Sequence, residues 1–541
     1  MQTLRQSMSW MHTWTGLLLG WVLYFMFITG SAGYYDVEID RWMKPELPAA
    51  AQTDDTIASL QAGLDFAVAT DPDADSYFIN SPAARSSSFL NIFIRSTDTE
   101  GELQNDSYSK LPDGSDVPEA RDTGGGQTLY QMHWAFHYIP RQLGELFAGF
   151  AASFMLAAII SGIITHKKIF ADFFTLRLGK GQRSWLDSHN VISVMTLPFQ
   201  FMITFSGIVF VTTLFFLPIF IGHYGYDENT EQVISEEIFG IDQAQERTGV
   251  SAPMVPLANL IADYEAQLPN EPIHSVNVTF PNDEAGRITL RGSFEDSVIR
   301  AAPSVEFNAA TGEMIKVQTR YTGAGLTTMN VLEGLHEGLF AGPALRLLYF
   351  ISGLMGAGMI ATGLVLWTSK RRQKLKAGER AERNLIIIER LNIGIIAGLP
   401  VAIAAYFYAN RLIPLGMEGR ADFEVDILFI AWLVMCVHSL ARPPRNGWIE
   451  QLSLATIAFA TLPILNALTS NIHLGNSLGL AGTETDWFAA GVDIGFIAIA
   501  VGLALATYHT AKKPVEKPKR VRKKTPPKPS VDDGVIAEPA E

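Results

Sequence analysis

The sequence predicts a polytopic α-helical membrane protein with two small α+β domains outside the bilayer. Three observations predict this fold class: eight long apolar runs, a one-sided distribution of Lys and Arg, and two long polar segments that contain alternating apolar residues. A membrane crossing takes roughly 20 predominantly apolar residues, and a core helix of a soluble protein rarely has so many without a charge. The 541-residue chain therefore belongs with the integral membrane proteins.

The apolar runs divide the chain into spans and connecting segments. The last four lie at 385–409, 425–441, 450–470 and 487–509, and the run at 425–441 is the shortest. The predicted organisation is a first span (1–35), a first external segment (36–142), a second span (143–166), a loop (167–188), a third span (189–222), a second external segment (223–343), a fourth span (344–368), a loop (369–384), four additional spans (385–509) and a basic tail (510–541) that we expect to be disordered.

The distribution of positive charge predicts the orientation. The loops 167–188 and 369–384 and the tail after the last span are rich in Lys and Arg, whereas 471–486 has neither. Short loops with excess Lys and Arg are usually cytoplasmic, so eight spans place both termini in the cytoplasm. The net charge of −14 thus combines a basic inside with acidic external segments, and no basic external domain supports a nucleic-acid partner.

Cysteine usage excludes several kinds of site. The chain has one cysteine, Cys436, inside an apolar run. One cysteine excludes an intramolecular disulfide, a Cys-rich zinc site and a protein-ligated iron–sulfur cluster.

The first 368 residues contain an internal repeat. His12 lies 18 residues before Gly30, and His189 lies 18 residues before Gly207. Each stretch ends in a Thr-Gly or Ser-Gly pair. The first and third spans are therefore predicted to be equivalent.

The second and fourth spans match in the same way. "MHWAFHYIP" (132–140) aligns without gaps on "LHEGLFAGP" (335–343), which pairs His133 with His336, and "SGIITH" further on matches "TGLVLW". Residues 1–166 and 183–368 are thus two copies of one unit, span, external segment, span, related by an axis along the membrane normal.

Both external segments have α+β patterns. Residues 56–69 and 253–267 have helical spacing of apolar residues. The alternating runs that predict antiparallel strands are "SYFINS" and "SFLNIFIRS" in the first segment, and "SVNVTF", "RITLRG" and "SVEFNAATGEMIKV" in the second. Each segment is therefore predicted to be a small α+β unit.

Four histidines occupy repeat-equivalent positions at the ends of the first four spans. His12 and His189 begin outward spans, whereas His133 and His336 precede inward spans. Ionisable side chains at membrane depth are costly and generally face a bundle interior. The repeat therefore predicts one histidine pair near each face of a four-helix core. Two b-type haems need such pairs, because each takes two neutral imidazoles about 4 Å apart on facing helices.

Other interpretations of the histidines remain open. His133 and His137 share one helical face and form an HxxxH pattern that binds divalent metals, although no adjacent carboxylate completes such a site. His137 is also an alternative haem ligand. His166, where the other copy has Trp367, is an alternative cytoplasmic ligand or a snorkelling interfacial residue. In a further interpretation, each histidine is an ordinary amphipathic residue that anchors its helix at the membrane interface.

These features resemble a known family, the PepSY-associated transmembrane proteins. The similar stretches are "MSWMHTWTGLLLGWVLYFMFITG", "SGIITHKKIFADFFTLRLGKGQRSWLDSHN" and "LHEGLFAGPALRLLYFISGLMGAGMIATGLVLWTSKRR", and together they cover roughly 1–370. The resemblance implies a bacterial inner-membrane protein whose two PepSY-like domains lie in the periplasm on a four-helix core. It also implies two haems, one held by His12 and His189 on the cytoplasmic side and one by His133 and His336 on the periplasmic side.

The resemblance also implies a function. Members similar to ferric-siderophore reductases carry electrons from a cytoplasmic donor or the quinol pool to a ferric siderophore or other Fe(III) chelate. The chain has no Rossmann, flavin or Walker A fingerprint. Two departures are Gln200, where we expect histidine in many relatives, and the additional spans at 385–509. The alternative function is a non-enzymatic siderophore-uptake permease or accessory subunit, or a PepSY-type regulatory membrane protein.

Overall fold

The structure is a computed structural model of the chain. It describes residues 3–48, 55–82, 89–97, 102–166, 173, 176–177, 181–211, 219, 221–225, 246–321, 323–376, 379–480 and 485–512. Parts of the predicted third span, half of the loop 167–188 and the tail from 513 onward lie outside these residues.

Fifteen α-helices and seven β-strands are labelled in chain order. The helices are α1 (Leu4–Ala32), α2 (Asp36–Met43), α3 (Thr56–Thr70), α4 (Gly125–Met132), α5 (Arg141–Thr165), α6 (Gln182–Val209), α7 (Ile261–Gln267), α8 (Ala324–Glu337), α9 (Pro343–Lys374), α10 (Arg383–Ile396), α11 (Gly398–Leu412), α12 (Arg420–Ala441), α13 (Pro444–Thr469), α14 (Leu474–Ser477) and α15 (Trp487–Lys512). The strands are β1 (Ser76–Asn80), β2 (Leu90–Thr97), β3 (Leu103–Lys110), β4 (Ile273–Thr279), β5 (Arg287–Gly292), β6 (Ser304–Asn308) and β7 (Met314–Gln318).

Eight helical segments within the described residues are long and apolar enough to cross a membrane. They correspond one to one with the predicted spans, and this confirms the predicted class of polytopic helical membrane protein. The first begins with a capping box, in which the Thr3 hydroxyl accepts from the backbone N–H of Gln6 and the Gln6 side chain accepts from the N–H of Thr3.

Helices α1, α5, α6 and α9 form a four-helix core. Helix α1 packs against α5 and α9, and α6 packs against α9 and α5. Small residues permit the close approach of these helices. A Cβ on Gly353 would lie 2.3 Å from the Ser31 hydroxyl, and one on Gly356 would lie 2.5 Å from the Gln200 amide nitrogen. The repeat-related helices thus meet as a ring.

The two external segments share one antiparallel sheet. The strand order is β3-β2-β1-β4-β5-β6-β7, so the first strand of each segment pairs with the other at the centre of the sheet. Phe78 of β1 lies opposite Asn277 of β4. Each predicted α+β segment contributes its own helix and strands, and their joining into a single sheet was not predicted from the sequence.

The sheet has one covered face and one face directed towards the membrane helices. Tyr77, Ile79, Val276 and Val278 are fully buried on the covered face, where α3 and α7 contribute to the same apolar core. Neighbouring residues alternate to the opposite face. Asn91 and Ser109 of that second face line a cavity together with residues of α2 and α4.

The four additional spans form a second helical group beside the core. Helices α10, α11, α12, α13 and α15 pack on one another, with further contacts to α1, α2 and α9. The first of these spans is broken between α10 and α11 because Pro400 has no N–H for the carbonyl of Ile396. The hydroxyl of Tyr24 donates to that carbonyl at 3.0 Å, which satisfies it inside the protein.

Candidate functional site

The first candidate pair lies near the starts of helices α1 and α6, at the end of the core remote from the sheet. The ring centroids of His12 in α1 and His189 in α6 are 6.2 Å apart, and the ring planes are inclined by 65°. His12 Nδ1 donates to the Ala158 carbonyl at 2.8 Å, and His189 Nδ1 donates to the Met359 carbonyl at 2.9 Å. We call His12 and His189 the far-side pair.

The second candidate pair lies at the opposite end of the core, beneath the sheet. The centroids of His133, which follows α4, and His336 in α8 are 6.4 Å apart, with planes inclined by 19°. His133 Nδ1 donates to the Tyr130 carbonyl. His336 Nδ1 donates to the Ser206 hydroxyl at 3.1 Å. We call His133 and His336 the sheet-side pair.

The same nitrogen is occupied in all four rings. The hydrogen bonds to the Ala158, Tyr130 and Met359 carbonyls and to the Ser206 hydroxyl are all made by Nδ1. A proton assigned to Nδ1 leaves Nε2 as the lone-pair nitrogen. Metal-binding histidines generally donate their other ring N–H to a carbonyl or carboxylate in this way, which fixes the tautomer and the ring orientation.

Each imidazole also lies against a glycine of another helix. A Cβ added to any of these glycines would come within 2.9–3.4 Å of the histidine ring. The four contacts are Gly162 with His12, Gly363 with His189, Gly30 with His133 and Gly207 with His336. The repeat aligns Gly162 with Gly363 and Gly30 with Gly207, so the contacts obey the repeat. Glycine at these positions makes room for the rings.

The two pairs are separated by roughly the thickness of a bilayer core. His12 and the glycine beneath His133, Gly30, are 18 residues apart on α1. At 1.5 Å per residue this is about 27 Å along the helix. The hydrocarbon core of a bilayer is about 30 Å thick. One pair therefore lies near each membrane interface.

Burial keeps the sheet-side imidazoles neutral. Desolvation lowers the pKa of His133 to about 4. Desolvation, with a smaller contribution from His133, lowers the pKa of His336 to about 3. Both rings are therefore neutral at physiological pH, which is the form that binds a metal ion.

The geometry fits a metal held between two imidazoles. Metal–imidazole bonds of about 2.0–2.1 Å put the two ligating nitrogens roughly 4 Å apart and the ring centroids roughly 6 Å apart. The observed centroid separations are 6.2 and 6.4 Å. Two neutral imidazoles from facing helices, with no third protein ligand, are what the iron of a b-type haem takes. The residues present therefore fit a haem at each pair.

Two glycines follow His12 in α1, at one and at two turns, and the space around them differs. A Cβ on Gly16, one turn beyond His12, would meet no atom within 4 Å. A Cβ on Gly20 would lie 2.8 Å from Leu364, because α1 and α9 are closely packed at that level. Gly20 therefore serves helix packing.

His137 and His166 do not join either pair. His137 is exposed and stacks on Phe429 of α12 at 6.4 Å. His166 follows α5, and its Nε2 accepts from the Asn190 amide at 3.0 Å. Among the described residues, no group of three or more His, Cys, Asp or Glu side chains has the arrangement of a metal site. Of the two histidines in the HxxxH pattern, His133 therefore belongs to the sheet-side pair and His137 lies against the surface of α12.

Gln200 is buried within the four-helix core. Its amide donates to the Ser352 carbonyl at 3.1 Å, and it packs beside Gly356 and Phe27. The amide thus serves as a packed polar group of the α6–α9 contact in this chain.

A cavity beneath the sheet lies close to the helices that carry the sheet-side pair. Its volume is about 630 Å³. Strand residues Asn91 and Ser109 line it from above, and Gln127 of α4 and Leu339, just after α8, line it from the membrane side. Its charged lining residues are Asp36, Asp40, Arg41, Lys44, Arg121 and Asp122.

Sequence reasoning located the four paired histidines but missed their partners. Ser206 was visible only as part of a Ser-Gly pair at the end of a span, and the sequence carries no mark of its bond to His336. The cavity was also missed, because its lining residues come from distant segments of the chain.

The fold and the paired histidines define a class: polytopic helical membrane proteins with a repeated four-helix core, a sheet on one side and an imidazole pair at each end. The chain belongs to the family described as PepSY-associated TM region, whose model matches residues 9–370. The match covers the whole repeat and stops where the additional spans begin. A comparison with curated proteins found no match.

Proposed function

We propose that this protein is a membrane electron carrier that holds two b-type haems and reduces a ferric siderophore or another Fe(III) chelate on its sheet side. The single observation that carries the proposal is the arrangement of four histidines as two facing pairs at opposite ends of one core. The occupied Nδ1 atoms and the glycines beneath the rings support it.

In this proposal the protein holds, orients and shields two redox centres. His12 and His189 would hold one haem, and His133 and His336 the other. When bound, the haems supply one-electron redox chemistry on both sides of the bilayer, and their axial ligands and surroundings set the potentials. The carbonyls of Ala158, Met359 and Tyr130 and the Ser206 hydroxyl hold the rings in one tautomer.

The proposed direction follows from the charge distribution. Lys and Arg cluster in the loops at the far-side end of the core, which favours that end as cytoplasmic. The sheet then faces the periplasm of a bacterium, and both termini face the cytoplasm. The reductant is accordingly a cytoplasmic donor or a quinol, since the chain has no nucleotide-binding fingerprint of its own.

The cavity beneath the sheet is the proposed acceptor site. It offers Lys44 together with carboxylates, which suits a polar chelate of mixed charge, while Arg41 is paired with Asp486. Gln127 and Leu339 connect it to the two helices that carry the sheet-side histidines. Reduction of Fe(III) to Fe(II) weakens the binding between the iron and its chelator, because Fe(II) is a softer ion that oxygen chelators hold less tightly.

The haem content of the purified full-length protein tests the proposal. We expect a b-type α-band in the reduced-minus-oxidised spectrum and about two haems per chain, since bundle sites of this kind bind one haem per histidine pair. The angle between the two imidazole planes controls the electron paramagnetic resonance signal of low-spin ferric haem. Planes inclined by 19° and 65° should therefore give two distinct signals.

Single substitutions assign the ligands. His12→Ala or His189→Ala should remove one signal, and His133→Ala or His336→Ala the other. A histidine outside both pairs, in His166→Ala, should leave both signals present. Folded protein purified from haem-replete cells with no bound haem would contradict the proposal.

A further inference from the structure

The segment that carries His133 has little structure of its own. Residues 121–138 contain only the eight-residue helix α4, and Gly124, Gly125 and Gly126 stand at its start. Glycine has the largest conformational freedom of any residue, so this sequence does not set its own path. Contacts from elsewhere must therefore hold the segment where His133 meets His336.

Helices α11 and α12 of the additional spans hold the beginning of this segment. The Thr123 hydroxyl donates to Glu424 and accepts from the Asn410 amide at 3.0 Å. The Asn410 amide also donates to Glu424 at 3.1 Å. Arg420 pairs with Glu424 and donates to the Asp122 carbonyl at 2.6 Å. These polar groups converge from two membrane helices on two successive residues of the segment.

Two further bonds extend the same contact. The Tyr406 hydroxyl of α11 donates to the Gly125 carbonyl at 2.9 Å, at the first residue of α4. Arg121 donates to the Asn410 carbonyl at 2.7 Å. The start of α4 is thus fixed to α11 by side chains on both sides of the contact.

Helix α12 also holds the end of the segment. The Tyr138 hydroxyl donates to Asp426 at 2.5 Å. The His137 ring stacks on Phe429, with the planes inclined by 20°. One helix therefore contacts the chain both before and after His133, which lies between the two points of attachment.

The buried Arg420–Glu424 pair, at the beginning of the segment, indicates that this contact positions the segment. The side chains of Arg420 and Glu424 are fully buried. The desolvation cost of a buried ion pair generally cancels its Coulombic attraction, so such a pair is a poor source of stability, and its best attested use is to specify one arrangement. Here the remaining hydrogen bonds of the pair go to the segment at Asp122 and Thr123 and to Asn410 of α11.

The second copy of the repeat supports its histidine differently. His336 lies on the 14-residue helix α8, and Arg300 of the second external segment pairs with Glu337 and lies 3.6 Å from Glu333 on that helix. In the first copy, α2 holds α4 through Asp40 and Asp36, and α11 and α12 add further bonds from outside the copy. The additional spans thus add to the support that the first copy supplies itself.

We propose that α11 and α12 position His133, and that Asn410, Arg420 and Glu424 are positioning residues for the sheet-side pair. This gives the additional spans a task within the same redox site. The inference rests on the proposed function only in that His133 is taken as a haem ligand; the mechanical coupling of α12 to the segment does not require haem.

Two variants of the full-length protein test the coupling. Thr123→Val keeps the shape of the side chain and leaves the Arg420–Glu424 pair intact, and Glu424→Gln removes the charge. Gln451→Leu is the matched control, because Gln451 is a buried polar residue of α13 that bonds to Met435 and His438 within the additional spans. Each protein is examined by haem content, redox titration, paramagnetic resonance and hydrogen exchange.

We expect both test variants to lose or shift the signal of the sheet-side haem and to leave the far-side signal unchanged. Loss of an outer-shell partner typically weakens metal affinity about 10- to 100-fold, and the sheet-side haem should be lost to that extent. Amide exchange in residues 125–138 should accelerate in the test variants and stay at the wild-type rate in Gln451→Leu.

Several outcomes separate this inference from the proposed function. Wild-type protein without haem would contradict the proposed function, and the exchange data alone would then decide the coupling. Folded test variants whose haem signals, potentials and exchange all match the wild type would overturn the coupling. Equal changes at both haems, or the same changes in Gln451→Leu, would also overturn it, since a general loss of stability would explain them.

Discussion

Each paired imidazole has one nitrogen committed to the protein and one left for a ligand. His336 shows this most fully, because the Ser206 hydroxyl that accepts from its Nδ1 itself donates to the Met202 carbonyl at 2.7 Å. The serine proton is therefore used, and its lone pair faces the imidazole. This short relay fixes the orientation of the ring through α6.

Replacing Ser206 by alanine should weaken the sheet-side site. Without the hydroxyl, His336 Nδ1 loses its acceptor and the ring its fixed orientation. Loss of such an outer-shell partner typically costs about 10- to 100-fold in metal affinity. The measurement is titration of haem into the haem-depleted variant, with the two haems distinguished by their paramagnetic resonance signals.

Thr29→Ala is the control for that substitution. The repeat aligns Thr29 with Ser206, but the Thr29 hydroxyl donates to the Phe25 carbonyl of its own helix at 2.8 Å. We expect Thr29→Ala to leave both haems bound. Equal affinity in Ser206→Ala and wild type would show that the ring is held by packing against Gly207 and other neighbours alone.

At the residue level, the pairing of the histidines was predictable because the repeat marks matched positions. Four histidines at matched positions predicted two pairs, and the structure brings those pairs together. The role of Ser206 could not be predicted in the same way, because its counterpart Thr29 makes a different bond. Contacts that differ between the copies depend on tertiary packing, which no local pattern encodes.

Helices and strands were predictable where their apolar residues recur at the regular spacing of that element. Strands β1, β2, β4, β5, β6 and β7 all overlap predicted alternating runs, and none extends more than two residues beyond its run. Strand β3, "LQNDSYSK", was missed because it is a mostly exposed edge strand with no apolar alternation. The end of α6 at Val209 lies before the predicted end of the third span at 222, and several of the intervening residues lie outside the described part of the chain.

A carboxylate in the turn after β4, that of Asp283, makes the sheet less stable at acid pH. Burial alone would raise the pKa of Asp283. Hydrogen bonds from the Thr248 hydroxyl and from the backbone N–H groups of Thr248, Gly249 and Ala285 outweigh it and hold the pKa at about 2. The carboxylate therefore favours the folded state above its ordinary pKa of 3.8, and this contribution is lost as the pH falls towards 2.

Asp283→Asn should lower the midpoint temperature of unfolding at pH 7. The difference in midpoint from wild type should become smaller as the pH falls below 3.8, the ordinary pKa of an aspartate. Thermal unfolding of the two proteins in detergent, followed by circular dichroism over pH 3 to 7, measures this. Asp263→Asn, on the exposed surface of α7, is the control and should unfold like wild type at each pH. A difference that stays constant with pH would assign the effect of Asp283→Asn to packing.

At the scale of the whole molecule, the repeat and the additional spans act in opposite senses. The repeat gives the four-helix core and the sheet an approximate two-fold relation, with β1 and β4 at its centre. The additional spans break that relation, because they contact α1, α2 and the segment before α5 in the first copy but α9 in the second. The number of spans was predictable from hydropathy. Their unequal contacts with the two copies were not, because those to the segment before α5 depend on buried polar groups at sequence separations near 300 residues.

The single sheet makes a prediction about the connection between the two copies. Phe78 and Asn277 are directly paired across β1 and β4, and antiparallel partners lie about 4.5–5.5 Å apart, within the range of a disulfide. In a Cys436→Ala background, Phe78→Cys with Asn277→Cys should form a disulfide on mild oxidation, seen as a linked peptide by mass spectrometry. Phe78→Cys with Thr279→Cys is the control, because Thr279 pairs with Ser76 and such diagonal positions are about 7–8 Å apart. Efficient linkage in the control, or none in the directly paired variant, would mean that the two external segments do not share this register.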